Sequence, residues 1–245
     1  MNYALQLYSV VDAMEKDFKE TVRRTARLGY DGVEFAGFYG LSAEETAELL
    51  KECGLYCAGS HCGADLLNEE NLAKTLAYHK AIGCQYVILP YYGFNTAEDI
   101  DRAVALLNRA GDAAAAEGMK VGYHNHQHEF SAIDGKVILD ELAARTNDNV
   151  VIQLDVYWAA VAGVDPIAWM KKWGKKVELI HLRQIGTDKE NVDLPDGSLD
   201  MKAVIEAAEY VKEFTVEHEC PGAPEEALWK SMERNIRYLK ELRLS

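Results

Sequence analysis

The stretch VGYHNHQHEF, residues Val121 to Phe130, sets His124, His126 and His128 at alternate positions, with Glu129 directly after them. Imidazoles and a carboxylate packed this closely fit a metal site, acid/base machinery working near neutral pH, or a polar loop without chemistry. Elsewhere, ligand-type residues stand inside short apolar runs. Glu34 lies in GVEFAG, His61 in AGSHCG, Asp155 in VVIQLDVYW, His181 in VELIHLRQ and Glu217 in FTVEHEC, while Gln6 closes the first run. One such residue alone is more often structural. Whether they converge depends on the elements that carry them.

Those elements repeat. Apolar runs rich in Val, Ile, Leu and Tyr begin near Ala4, Gly32, Leu55, Tyr86, Met119, Val150, Val177 and Glu213. The spacing is about thirty residues, the length of one strand–helix unit, and the short apolar runs suit buried parallel strands. Between them lie amphipathic helices, with Phe18, Val22 and Ala26 on one face and Trp229, Met232, Ile236 and Leu239 on another. Ser42 to Glu45 and Asn95 to Glu98 read as capping boxes, and Asp165-Pro166 as an N-cap followed by proline at the first helical position. Glycines in RLGYDG, ECGLYC, AIGCQY, AEGMKV and KWGKKV stop helices before the next strand. The expected fold is therefore α/β, a single (β/α)8 TIM barrel forming one domain over residues 1–245. The alternative, an open doubly wound sheet, usually carries a glycine-rich phosphate loop after its first strand, and none is present.

In such a barrel, chemistry sits at the C-terminal ends of the strands. Gln6, Glu34, His61, Tyr91, Tyr92, the histidine stretch, Asp155, His181 and Glu217 all fall there. Burying several acids together is costly unless a cation or shared protons neutralise them. Glutamates, an aspartate and a histidine around one point suit Mn2+ or Mg2+, with Zn2+ or Co2+ as alternatives.

At LQLYSV, YDGVEFAG, GSHCG, GYHNHQHEF, LDVYWAAVAGVDP, ELIHLR and TVEHE the chain resembles the xylose-isomerase-like barrels, which include sugar phosphate isomerases and epimerases and inosose dehydratases. The resemblance spans nearly the whole chain. It implies one divalent metal, Mn2+ first among the candidates, held by Asp155, His181 and Glu217 and by Glu129 as the acid nearest the end of strand five, with His126 or His124 as alternatives to Glu129. It also implies Glu129 and Glu217 as paired bases on the two faces of a sugar. The chain departs from the epimerases and the endonuclease IV-type nucleases three residues after the strand-six aspartate, where Trp158 replaces a histidine. The nuclease's further Asp-x-His after strand seven is also missing from RQIGTDKENVDLPDG.

The expected activity is metal-dependent isomerisation or epimerisation of a small sugar, sugar phosphate or cyclitol through an enediolate. His126 and His61 are candidate histidine bases. Glu34, His61, His124, Trp158 and Arg183 are candidate substrate-binding residues, with a barrel-rim salt bridge as the other reading of Arg183. The same enediolate can expel a leaving group, so a dehydratase or lyase acting on a keto-sugar or inosose is the alternative. A non-catalytic sugar-binding barrel or complex subunit is the third reading. Residues 183–197 form a long loop that reads as a lid or as a plain turn.

Composition sets the remaining expectations. A net charge of −14 opposes binding to nucleic acid or anionic membranes. The odd number of cysteines, five, and the absence of CxxC favour a reducing, cytoplasmic setting, with Cys62 as a packing residue. The N-terminus lacks the pattern of a signal peptide, and no apolar run reaches the ~20 residues of a membrane span. Homo-oligomerisation is left open.

Overall fold

In the computed structural model, which describes residues 1–242, eight parallel strands close into a barrel. They are β1 (Tyr3–Gln6), β2 (Gly32–Phe35), β3 (Tyr56–His61), β4 (Tyr86–Leu89), β5 (Lys120–His124), β6 (Val150–Asp155), β7 (Val177–Leu182) and β8 (Glu213–Val216). Each starts within one residue of its apolar run. Every strand pairs with its sequence neighbours, and β1 closes the ring onto β8. The helices are α1 (Val11–Leu28), α2 (Ala43–Cys53), α3 (Leu72–Ala81), α4 (Ala97–Ala116), α5 (Ile138–Arg145), α6 (Val156–Val161), α7 (Pro166–Trp173), α8 (Met201–Ala207) and α9 (Glu225–Leu242). No helix among the described residues is long and apolar enough to cross a membrane.

The helices form where the sequence has both an apolar stripe and an end signal. Phe18 and Val22 of α1, and Trp229, Met232, Ile236 and Leu239 of α9, are buried against the barrel. At α2 the Ser42 hydroxyl accepts from the Glu45 amide at 3.2 Å, and the Glu45 carboxylate accepts from the Ser42 amide at 2.9 Å. Asp165 caps α7, with Pro166 in the first turn. The cap of α4 falls one residue later than Asn95 and Glu98 suggest. Asp99 takes the amides of both Asn95 and Thr96, at 2.9 and 2.8 Å, so Thr96 becomes the capping residue. Gly29 and Gly54 end α1 and α2 at φ values of +90° and +66°, which glycine adopts without a Cβ penalty. Residues 183–197 are not a structureless loop. Gln184–Ile185 pairs with Asn191–Val192, and the buried Gln184 amide donates to the Leu194 and Leu199 carbonyls. Cys62 is a buried packing residue beside His79, and all five cysteines are free thiols.

Most of the apolar core lies between the strands and the helices. A smaller cluster of Tyr86, Ile88, Val151 and Leu179, from β4, β6 and β7, fills the lower barrel. At the N-terminal end, bonds between non-neighbouring strands cross the lumen. The Tyr56 hydroxyl donates to Glu213 at 2.7 Å and the Tyr86 hydroxyl to Glu178 at 3.0 Å, and Lys120 and Lys212 neutralise Glu178.

Two bulges interrupt the ladder, one between Val33 and Glu34 against β3 and one between Ile152 and Gln153 against β7. A bulge re-aims the side chain that follows it. Here the two re-aimed side chains meet, as Gln153 Nε2 donates to Glu34 Oε2 at 2.5 Å. Gly59 makes room for this pair, since a Cβ there would lie 2.8 Å from Ile88 Cδ1 and 3.0 Å from Glu34 Oε2. Gly59→Ala should therefore displace Ile88 or Glu34 and cost about 1–3 kcal/mol, read as a lowered denaturant midpoint with an unchanged slope. An unchanged midpoint would mean that the neighbours give way freely.

Candidate active site

Alternation along the strands turns polar residues into the upper barrel. Glu34 is fully buried and receives four donors. Its Oε1 accepts from Gln6 Nε2 at 2.5 Å and lies 2.7 Å from His181 Nε2 and 3.1 Å from His61 Nε2, while Oε2 takes the Gln153 amide. Burial alone would raise its carboxyl, but the His181 and His61 imidazoles outweigh burial and hold it well below the usual range. His61 Nε2 is also 2.9 Å from Gln153 Oε1. That side of the ring is held by acceptors, and Nδ1 carries no hydrogen bond among the described residues.

His181 sits between two carboxylates, with Nε2 on Glu34 and Nδ1 2.9 Å from Glu217 Oε2. Burial opposes its charge, yet Glu34 and Glu217 raise it to about 10. Asp155 is also fully buried. Its Oδ1 accepts from the Trp158 amide at 2.9 Å, capping α6, and its own amide donates to Asn125 Oδ1 at 3.0 Å. Burial pushes Asp155 up to about 6, against the pull of Arg183. In Glu217, by contrast, Arg183 and His181 overcome burial and hold the carboxyl low.

Ligand atoms of His124, Asp155, His181 and Glu217 all lie within 4.8 Å of one another, and all four residues are buried. His124 Nδ1 is buried without a hydrogen-bond partner. Burial, reinforced by His181 and His61, drives this imidazole well below its ordinary value, so it is neutral and has a lone pair to offer. Two imidazoles and two carboxylates fit a divalent ion. Glu34 lies behind His181 as a carboxylate does in sites where it orients a metal-binding imidazole. His61 also comes within 4.8 Å of His124 and His181.

Arg183 is at the centre of this network. It is 1% exposed. Its Nη1 lies 3.3 Å from Asp155 Oδ2, 3.0 Å from Glu217 Oε2 and 2.9 Å from Glu219 Oε1, and Nη2 donates to Asn191 Oδ1 at 3.2 Å. The guanidinium stacks over Tyr157 and Trp158, 4.7 and 5.3 Å from their ring centres. Arg183 thus neutralises carboxylates of the site, and both its terminal nitrogens are engaged within the protein.

Glu129 stands apart from the central four. Its Oε1 accepts from the Tyr123 hydroxyl at 2.6 Å and its Oε2 from the His126 amide at 2.9 Å, so the chain curls back onto strand five rather than over the barrel axis. It clusters instead with His126 and His128. His124, rather than Glu129, is the residue that lies with Asp155, His181 and Glu217.

Above the four opens a cavity of about 460 Å3, lined by Tyr8, Ala36, His61, Pro90, Tyr91, His124, His126, Glu217 and Glu219. Of the residues singled out from sequence, His61, His124, His126, Tyr91 and Glu217 reach this wall. Trp158 packs beside His126, with ring centres 5.6 Å apart. Sequence reasoning passed over Asn125, Gln153 and Glu219. Gln153 had a signal, because it lies two residues before Asp155 and shares its inward parity.

A closed barrel with a buried polar cluster at the C-terminal ends of its strands defines a TIM-barrel enzyme scaffold. The chain belongs to the xylose isomerase-like TIM barrel family, whose model matches residues 22–242. It is similar to an inosose dehydratase of Clostridium botulinum (strain Alaska E43 / Type E3), with 24% identity over 195 residues, covering 70% of this chain and 64% of that protein. The chain thus spans slightly under two thirds of that relative's length. Among solved structures, a sugar phosphate isomerase/epimerase from Parabacteroides distasonis ATCC 8503 superposes with a TM-score of 0.82 at 24% identity, covering 98% of this chain and 93% of that one. An IOLI protein with a bound zinc atom superposes with a TM-score of 0.76 at 15% identity, covering 99% and 98%. These likenesses carry the fold.

Proposed function

We propose that the protein is a metal-dependent dehydratase acting on a small polyhydroxylated ketone, a keto-sugar or cyclitol ketone of the inosose kind. His124, Asp155, His181 and Glu217 would hold the ion, with Mn2+ or Zn2+ as the leading candidates. When bound, the ion would polarise the substrate carbonyl and acidify the neighbouring C–H. The chain's own part centres on His61. The observation that carries the reading is that His61 lines the cavity while its Nε2 is held on Gln153 and Glu34, leaving Nδ1 as the free nitrogen. An imidazole oriented by a carboxylate on one nitrogen is a general base on the other. His61 would take the proton from the carbon beside the carbonyl and give it to the departing β-hydroxyl, which leaves as water. The imidazole then returns to its starting state.

Isomerisation is the second reading, because the same proton returned to a neighbouring carbon gives a mass-neutral product. It is supported by the Glu217 carboxylate facing the same cavity. Epimerisation by paired glutamates has less support, since Glu129 lies outside both the cavity wall and the central cluster. The test is incubation of the Mn2+- or Zn2+-loaded protein with an inosose, followed by mass spectrometry. A product lighter by one water is expected. A mass-neutral product would transfer the assignment to the isomerase, and an untouched substrate would refute both. His61→Ala should retain the ion and lose about 10²–10⁴-fold in turnover.

A further inference from the structure

We propose that the exit of strand five holds a second divalent-cation site, built from His126, His128 and Glu129 and sharing no ligand with the central four. A ring nitrogen of each histidine and one Glu129 oxygen lie within 4.8 Å of one another. The hydrogen-bond accounting of these residues calls for a cation. His128 Nε2 is 3.2 Å from the Tyr92 carbonyl oxygen, which can only accept, so this nitrogen carries the hydrogen. In the neutral ring, Nδ1 then presents a lone pair, and it faces Glu129 Oε2 at 3.3 Å. Two acceptors at that distance need a positive centre between them. His126, a member of the same cluster, has a buried Nδ1 with no partner. A single ion satisfies all three groups.

The surroundings are those of a supported ligand set. The Tyr123 hydroxyl and the His126 amide fix the Glu129 carboxylate, and the Tyr92 carbonyl fixes the His128 ring. The His126 and His128 rings lie nearly parallel, with centres 6.0 Å apart and 24° between planes. His126 lines the mouth cavity, which gives an ion its path in. Two imidazoles and one carboxylate, with a position left open, form a donor set used for zinc. The two sites are close neighbours, since the His124 and His126 ring centres are 5.0 Å apart.

The test is metal stoichiometry and does not depend on the proposed reaction. Protein stripped with chelator and dialysed against Zn2+ should hold two ions per chain, whereas His128→Ala and Asp155→Ala should each hold one. The His128 side chain is 33% exposed, so its replacement should fold, and thermal unfolding checks this. Diffraction at the zinc edge gives a second measurement on the unaltered protein, with an anomalous peak expected between His126, His128 and Glu129. One ion per chain that His128→Ala keeps and Asp155→Ala loses, two ions retained by His128→Ala, or no peak at this position would overturn the proposal. One ion per chain that Asp155→Ala keeps and His128→Ala loses would instead count against the central site and leave this one standing.

Discussion

Asp155→Ala is expected to release the ion proposed for the central cluster, lowering its affinity by more than about 100-fold and abolishing the proposed turnover with it. Replacing groups that merely orient a ligand already costs about 10–100-fold, and a direct ligand costs more. Asp155 has a second task that must be separated from the first. It caps α6 through the Trp158 amide, and removing a cap costs about 1 kcal/mol. Asp155→Asn keeps a capping oxygen and removes the negative charge. If both variants lose the ion while Asp155→Asn stays close to the parent in thermal stability, the charge holds the metal. Undiminished binding by titration calorimetry in both would mean that the centre lies elsewhere.

The largest effect on stability is expected from Arg183→Met. This removes the guanidinium from Asp155, Glu217 and Glu219 and leaves buried carboxylates without their cation. Breaking a buried ion pair from one side costs about 3–5 kcal/mol. In a chain of 245 residues that corresponds to a fall in Tm of roughly 6–20 °C. Added divalent ion should recover more stability in the variant than in the parent, because it supplies the charge that the side chain withheld. Differential scanning calorimetry with and without the ion reads both quantities. Equal gains in the two proteins would refute the idea that Arg183 and the ion serve the same carboxylates.

The barrel was legible because the thirty-residue beat, the glycine stops and the helical faces all agree. Asp155, His181 and Glu217 were legible for the same reason, since each sits at the end of an apolar run whose side chains alternate in and out. The fourth member of their cluster was harder to see. Glu129 was expected first, with His126 or His124 as alternatives, and Glu129 lies beyond the strand, where alternation no longer applies. Tyr123 is the last large apolar residue of β5, so His124 is the next inward position, which strand parity alone indicates. Parity also puts Arg183 on the side of His181, toward the acids. Its sequence position just past the strand suggested substrate binding or a rim salt bridge. The shared role of Glu34 and Gln153 depends on two bulges, which shift register by a residue and leave no mark in composition.

The polar seal across the N-terminal end of the barrel has a kinetic consequence. With Tyr56–Glu213 and Tyr86–Glu178 spanning one end, the cavity of the upper barrel opens at the other, where the exposed Tyr8 and Tyr91 line it. A molecule that enters past these tyrosines to reach Glu217 and leaves by the same mouth blocks the next arrival. Product should therefore compete directly with substrate, and anything lodged between the two doorway tyrosines should slow entry and departure alike.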